Sequence, residues 1–254
     1  MKTNFVDTSK VYDANIESPD IRGKEELRPW NLFKIIKSHV TSQSKLLDVG
    51  CGTANKSIPL APYVKNLTGL DIWKNPKLAQ KAALNVKESH YKNIVLKQGD
   101  SRRLPFADNS FDLLTYMLAP QYAYETYRVL KPMGFVIIER VGEQDKLNFK
   151  KMFGNNENGR SRGQNCEFEY GDLAGEYVRE LIRVGFCDVK VCSGKWKTWY
   201  SREGLLKLFQ ATPTVQSFDL QKDAPIIENI VQKYRTNHGI LTLQHRYLII
   251  AQKT

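Results

Sequence analysis

The sequence predicts an α/β fold, a parallel sheet with helices on both faces, and three observations carry that prediction. From Lys45 onward, short apolar runs alternate with segments of helical spacing. The first run, Leu46-Leu47-Asp48-Val49, leads straight into the closely spaced Gly50 and Gly52. Acids stand at or near the ends of three successive runs, at Asp48, Asp71 and Asp100. Parallel strands need crossover connections, and helices between apolar runs supply them.

The elements follow in order. A polar lead-in precedes a helix from Pro29 to about Val40, with Leu32, Phe33, Ile35 and Ile36 apolar and Pro29 suited to its first turn. After Leu46–Val49, strands are expected at Leu67–Asp71, Ile94–Gln98, Phe111–Tyr116 and Phe135–Glu139. Helices are expected over Lys77–Glu88 and Tyr122–Leu130. Beyond Glu139 the chain reads as a long irregular loop to Asn165, with Gly154, Gly159 and Gly163 and asparagines at 155, 156 and 158. A helix over Asp172–Val184, closed by Gly185, leads to a sixth strand, Cys187–Cys192. Inserted helices at Glu203–Gln210 and Ala224–Tyr234 precede a seventh strand, His245–Ala251. The division expected is an N-terminal helical cap segment, 1–44, and one domain, 45–254, with a helical insert at about 196–240.

Composition sets the bounds. The chain has 254 residues, 41% hydrophobic and 26% charged, which suits a globular protein and is too apolar for a disordered one. No apolar run approaches the roughly 18 residues of a membrane span. The first residues, Met1–Asp7, lack a secretory signal's apolar stretch, so a cytoplasmic location is expected. Cys51, Cys166, Cys187 and Cys192 form no C-x-x-C pair and no metal site is expected; Cys187 and Cys192 read as small buried residues at a strand's ends.

The net charge of +11 invites a nucleic-acid reading, but its distribution weakens it. It divides as +2 over residues 1–45, +5 over 46–140, +1 over 141–200 and +3 over 201–254. The local basic features are Lys150-Lys151, Arg160 and Arg162, in the loop 150–162.

The chemistry-bearing segment is Asp48-Val49-Gly50-Cys51-Gly52-Thr53-Ala54. A strand running into glycines lets backbone N–H groups approach a ligand that a Cβ would block. Asp71 closes the next strand at the carboxyl edge, where a carboxylate can accept both hydroxyls of a ribose. Asp100, after the third strand, stands where a side chain can meet the exocyclic amine of an adenine. A dinucleotide is the rival ligand, but its pattern wants a small residue where Asn55 stands and does not predict Asp48 or Asp100.

On these residues the segment 46–139 resembles the class I S-adenosylmethionine-dependent methyltransferases of the ubiquinone/menaquinone type. Asp48–Thr53 matches that family's acidic-x-Gly-x-Gly motif, Leu70-Asp71-Ile72 its ribose acid and Gly99-Asp100-Ser101 its adenine motif. Leu104-Pro105-Phe106, Ser110-Phe111-Asp112 and Tyr127–Gly134 continue the match. Ala54 replaces a frequent third glycine, and Pro132-Met133-Gly134 replaces Pro-Gly-Gly. The resemblance implies a Rossmann-like seven-stranded sheet of order 3-2-1-4-5-7-6 with strand seven antiparallel. It implies S-adenosyl-L-methionine as cofactor and S-adenosyl-L-homocysteine as product. By the same resemblance Gly50, Cys51, Gly52 and Thr53 face the methionine portion, and Asp48 its ammonium or nearby polar groups. Asp71 holds the ribose, Ile72 packs on the adenine, Asp100 and Ser101 recognise its edge, and Tyr116 lies beside the methyl site.

No catalytic base stands out. Relatives that methylate amines carry a polar residue before Pro-Pro-aromatic, whereas this chain has Ala119-Pro120-Gln121-Tyr122. Tyr116, Gln121 and Tyr122 are the candidates, with packing an equal alternative for the tyrosines. His39, His90, His238 and His245 read as solvated. The segment around Tyr12 and Arg28-Pro29-Trp30 and the insert are expected to enclose an acceptor. Trp196, Trp199, Tyr200, Phe209 and Phe218 either stack on it or form a small satellite core. The expected function is methyl transfer to a small-molecule acceptor. A ribosomal RNA base methyltransferase is the alternative, and a non-catalytic cofactor-binding subunit a third.

Overall fold

In the computed structural model, which describes residues 24–254, nine strands form one sheet. They are β1 (Lys24–Glu25), β2 (Lys45–Val49), β3 (Asn66–Asp71), β4 (Ile94–Gln98), β5 (Phe111–Met117), β6 (Leu130–Val141), β7 (Phe186–Tyr200), β8 (Arg235–Thr236) and β9 (Gly239–Lys253). The order is β1-β7-β9-β6-β5-β2-β3-β4, with β8 paired to β9. Without the two-residue strands β1 and β8, this is the expected seven-strand order. β2 pairs in parallel with β3 and β5, β3 with β4, and β5 with β6. Gln252 Nε2 donates to Met133 O and Gly142 N–H to His245 O, so numbering runs oppositely along β9 and β6. The last strand is antiparallel.

The helices are α1 (Leu32–Ser38), α2 (Pro76–Ser89), α3 (Ala123–Val129), α4 (Leu147–Lys150), α5 (Asp172–Arg183), α6 (Arg202–Ala211) and α7 (Ala224–Tyr234). α1 starts later than Pro29, because Asn31 is its cap: its Oδ1 accepts the Lys34 N–H at 3.0 Å. Asn75 caps α2 in the same way, with Pro76 in the first turn. The last two long strands exceed their expected spans. Their added residues alternate inward and outward, as with buried Trp196, Thr198 and Tyr200 against exposed Lys195 and Lys197, and an apolar-run criterion misses that pattern.

The chain divides into two compact units. The motif unit comprises residues 30–141, 174–193 and 247–254. Its core joins Ile36, Leu46, Leu60, Leu67, Leu113, Ile137 and Leu248. The companion unit comprises residues 24–29, 142–173 and 194–246 among those described. Helix α1 groups with the motif unit. Tyr12 lies outside the described residues.

The companion unit has a core of its own. Phe149, Phe153, Tyr200, Leu205, Phe209, Ile227 and Ile230 are buried together, and the Phe153 and Phe209 rings meet edge-on at 5.0 Å. Phe218 packs against Phe209 at 5.6 Å. Tyr200, Phe209 and Phe218 thus form the satellite core of the two alternatives. Beside it lies a buried ionic network. Asp145 pairs with Lys146 at 2.7 Å and with Arg246, and Lys146 Nζ also donates to Gln244 Oε1 at 3.0 Å. His245, expected to be solvated, is fully buried: Gly142 packs against its ring, and its Nδ1 faces the Gln144 N–H at 3.2 Å. Cys192 is exposed and Cys187 half-buried, so these cysteines do not fill the buried positions expected of them.

Candidate cofactor and acceptor site

The site is assembled where β2, β3 and β4 end. Leu46, Leu47 and Val49 are buried, which fixes β2 at the centre of the sheet and leaves the next residues to turn at its edge. The turn needs glycine twice. Gly50 has φ +75°, and a Cβ there would lie 2.3 Å from the Ala119 Cβ. Gly52 has φ +56°, and nothing stands within 4 Å of where its Cβ would be. Close packing on one side and open space on the other make a backbone-lined cradle. The Gly50 and Cys51 N–H groups both donate to Leu70 O, at 2.7 and 3.1 Å, tying the cradle to the end of β3.

Asp71 organises the next position. Its Oδ2 accepts the Gly52 N–H at 2.9 Å and its Oδ1 the Trp73 N–H at 3.0 Å. Trp73 Nε1 donates back to Gly52 O at 2.8 Å. Each carboxylate oxygen accepts more than one bond, so Asp71 keeps capacity for hydroxyls. Ile72 beside it is 38% exposed, an apolar surface left without a partner. Thr53 O accepts from Asn85 Nδ2 at 2.8 Å, which fixes the far end of the turn.

Asp48 is buried, and its two carboxylate oxygens are unequally engaged. Its Oδ1 accepts from Thr115 Oγ1 at 2.9 Å, whereas its Oδ2 is buried without a partner. Burial pushes its pKa up to about 6, with Thr115, Ser57 and Lys56 opposing. Burial also pushes up the Cys51 thiol, whose sulfur fills the space above Gly69.

Asp100 follows β4 and is already engaged. Its Oδ1 accepts the Arg102 N–H at 2.8 Å, and its Oδ2 the Arg102 Nε at 2.9 Å. The hydrogen bonds from Arg102 hold its carboxyl below the usual range. Ser101 stands beside it, half-buried.

The candidate bases fare unequally. Tyr116 is fully buried and its hydroxyl bonds Thr126 Oγ1 at 2.8 Å, with its pKa raised by burial. Its hydroxyl is held within the fold by Thr126 and is not exposed. Tyr122 is half-buried, with its hydroxyl also pushed up by burial. Gln121 is 7% exposed, and both of its amide atoms are buried without a partner. The sequence reading missed Glu139 and Arg140, which end β6 as the three acids end or follow their strands. Glu139 accepts from Trp30 Nε1 at 3.0 Å, and Arg140 Nη1 donates to Ala119 O at 2.6 Å.

Two of the four basic residues of the loop are engaged within the protein, and Lys151 and Arg160 are exposed. Lys150 is fully buried and donates to Gln164 O at 2.7 Å. Arg162 forms two 2.8 Å bonds to the Asp223 carboxylate. Among the described residues, no three His, Cys, Asp or Glu side chains gather as a metal site. No described helix is long and apolar enough to cross a membrane.

The sheet order and glycine turn define a Rossmann-like α/β protein. The model of a methyltransferase domain family matches residues 47–138. The demethylmenaquinone methyltransferase of Staphylococcus saprophyticus is 31% identical over 195 residues, covering 66% of this chain and 81% of that protein. Its counterpart in Staphylococcus haemolyticus is 34% identical over 161 residues, covering 59% of this chain. The match spans 64% of that relative's length, less than two thirds. A S-adenosylmethionine-dependent methyltransferase of Methanosarcina mazei shares the fold, with a TM-score of 0.53 at 18% identity over 88% of this chain and 99% of that one. The chain belongs to the class I S-adenosylmethionine-dependent methyltransferase family.

Proposed function

We propose that the protein transfers a methyl group from S-adenosylmethionine to a small-molecule acceptor. The observation that carries this is the set of acids Asp48, Asp71 and Asp100 around a glycine turn that is closed on the Gly50 side and open at Gly52. The residues suit the cofactor: the unpartnered Asp48 Oδ2 can take a cationic ammonium, Asp71 the ribose hydroxyls, and Asp100 with Ser101 the adenine edge, with Ile72 beneath the ring. The bound cofactor supplies an electrophilic methyl, which the acceptor's electron pair takes while sulfur keeps the former bonding pair. The chain's own part is to hold acceptor and methyl in line, which supplies several kcal/mol of barrier lowering.

A small acceptor suits the charge better than RNA does. RNA binding rests on free basic side chains, and of the loop's four basic residues Lys150 and Arg162 are occupied within the protein, which leaves only Lys151 and Arg160 exposed. The relatives' demethylmenaquinone is the first acceptor to test, in its reduced form. The experiment is a transfer assay with methyl-labelled S-adenosylmethionine, the reduced quinone and total RNA in parallel. Label is expected in the quinone. Label confined to RNA would overturn the acceptor class, and label in neither arm the assignment of this acceptor. Cofactor binding is measured separately by calorimetry with S-adenosylhomocysteine.

A further inference from the structure

Buried amides are almost always hydrogen-bonded, because leaving one dry is costly. Gln121 breaks that rule at both ends: Nε2 and Oε1 are each buried and neither has a partner. Arg140 breaks it at one atom, since its Nε is buried and unpartnered while Nη1 is used on Ala119 O. Both exceptions lie in the motif unit and are connected through the chain. Arg140 grips the carbonyl two residues before Gln121, and the Ala119 side chain packs on Gly50. The guanidinium lies over the Tyr177 ring at 4.8 Å, which fixes its plane. Its field reaches the Tyr116 and Tyr122 hydroxyls.

We propose that Gln121 and Arg140 form a subsite for an anionic oxygen of the methyl acceptor, next to the glycine turn. This rests on the methyltransferase reading above. The pair offers what such an oxygen needs: an amide N–H, a guanidinium N–H and a fixed positive charge. The Gln121 carbonyl then accepts from a neighbouring hydroxyl. A phenolate, an enolate and a carboxylate share this chemistry, and each leaves its proton to solvent before binding. The positive charge favours the ionised acceptor, which is the better nucleophile toward a cationic methyl donor. In the free protein the unmet bonds are an expense that an acceptor relieves, the pattern of a site kept for function at the cost of stability.

The test pairs apo stability with ligand response. Gln121→Met keeps the volume and removes the dry amide, and Arg140→Lys keeps the charge and removes Nε. Melting is recorded for wild type and both variants, free and with S-adenosylhomocysteine plus millimolar 2-naphthol at pH 10, 1-naphthoate at pH 7, or 2-methoxynaphthalene at both. The expected result is a higher apo melting temperature for Gln121→Met than for wild type. With it, one anionic probe stabilises wild type, and at least tenfold more of it is needed to stabilise either variant. Response to naphtholate alone identifies a phenolate-like oxygen, and response to naphthoate alone a carboxylate. A lower apo melting temperature for Gln121→Met would overturn the proposal, as would stabilisation by methoxynaphthalene equal to that by the anions, or by none of the probes. Calorimetry on wild type with S-adenosylhomocysteine reports the cofactor reading separately. Loss of that binding sinks the function, whereas retained binding with no anion response sinks only the subsite.

Discussion

Two buried carboxylates, one in each unit, show how differently the same group is treated. Asp145, in the companion unit, is 3% exposed and lies against Lys146 and Arg246. Burial alone would raise its pKa, but the charges of Arg246, Lys146 and Lys150 outweigh it and hold the carboxyl far below its usual range. Asp48, in the motif unit, is 1% exposed, and there burial outweighs Thr115, Ser57 and Lys56, so its pKa rises to about 6. One carboxylate has cationic partners within the fold, whereas the other has an oxygen buried without a hydrogen-bond partner and, on the function proposed above, meets the cofactor's ammonium. The difference separates a structural ion cluster from the proposed binding site, although both are buried acids.

The strongest way to break the comparison is at the finished cluster. Asp145→Asn leaves Lys146 and Arg246 buried without their anion and should cost about 3–5 kcal/mol, measured by urea unfolding. A loss below 1 kcal/mol would mean that water, and not Asp145, compensates those cations. Gly50→Ala comes next. It drives a Cβ to 2.3 Å from Ala119 at φ +75°, which should cost about 1–3 kcal/mol and abolish S-adenosylhomocysteine binding.

Asp48 sharpens the comparison through pH. Folding raises its pKa from 3.8 to about 6, so between those values the folded state holds the proton that the unfolded chain gives up. Apo stability should therefore fall as pH rises from about 4 to about 6, by up to ~3 kcal/mol from this group. Asp48→Asn should flatten that part of the profile, as followed by thermal unfolding at fixed ionic strength. An unchanged profile would show that Asp48 ionises freely in the folded protein. The smallest effect belongs to Arg102, an exposed side chain on Asp100. Arg102→Ala frees Asp100 Oδ2 and leaves the backbone N–H bond to Oδ1 in place. Melting should barely move, and S-adenosylhomocysteine should bind as tightly as before or a few-fold tighter. A tenfold loss would make Arg102 part of the adenine site.

The motif unit was far more legible than its companion, and the reason is distance along the chain. Gly50, Gly52 and Asp71 act within some twenty residues of one another, on consecutive strand ends, so the spacing carries the geometry. The Asp145–Arg246 pair joins residues 101 apart, in what reads as a polar loop and a strand end, and no local pattern announces it. His245 was misread for the same reason: what buries it is Gly142, on the far side of a long connection. Tyr116 lies on a strand buried on both faces, where alternation says nothing about which way the hydroxyl points. Gln121 was placed by its position after β5, but its missing bonds become visible only once every neighbour is in place.

The central claim is that the acids and the glycine turn form a cofactor site whose missing partner is the cofactor's own cation. Calorimetric titration with S-adenosylhomocysteine from pH 5 to pH 8 tests it on wild type and Asp48→Asn. Wild type should bind one ligand per chain, with affinity steady above pH 7 and falling up to tenfold per pH unit below 6 as Asp48 takes its proton. Asp48→Asn should bind more weakly, with that dependence gone. No binding at millimolar ligand, or identical pH profiles for the two proteins, would contradict the account.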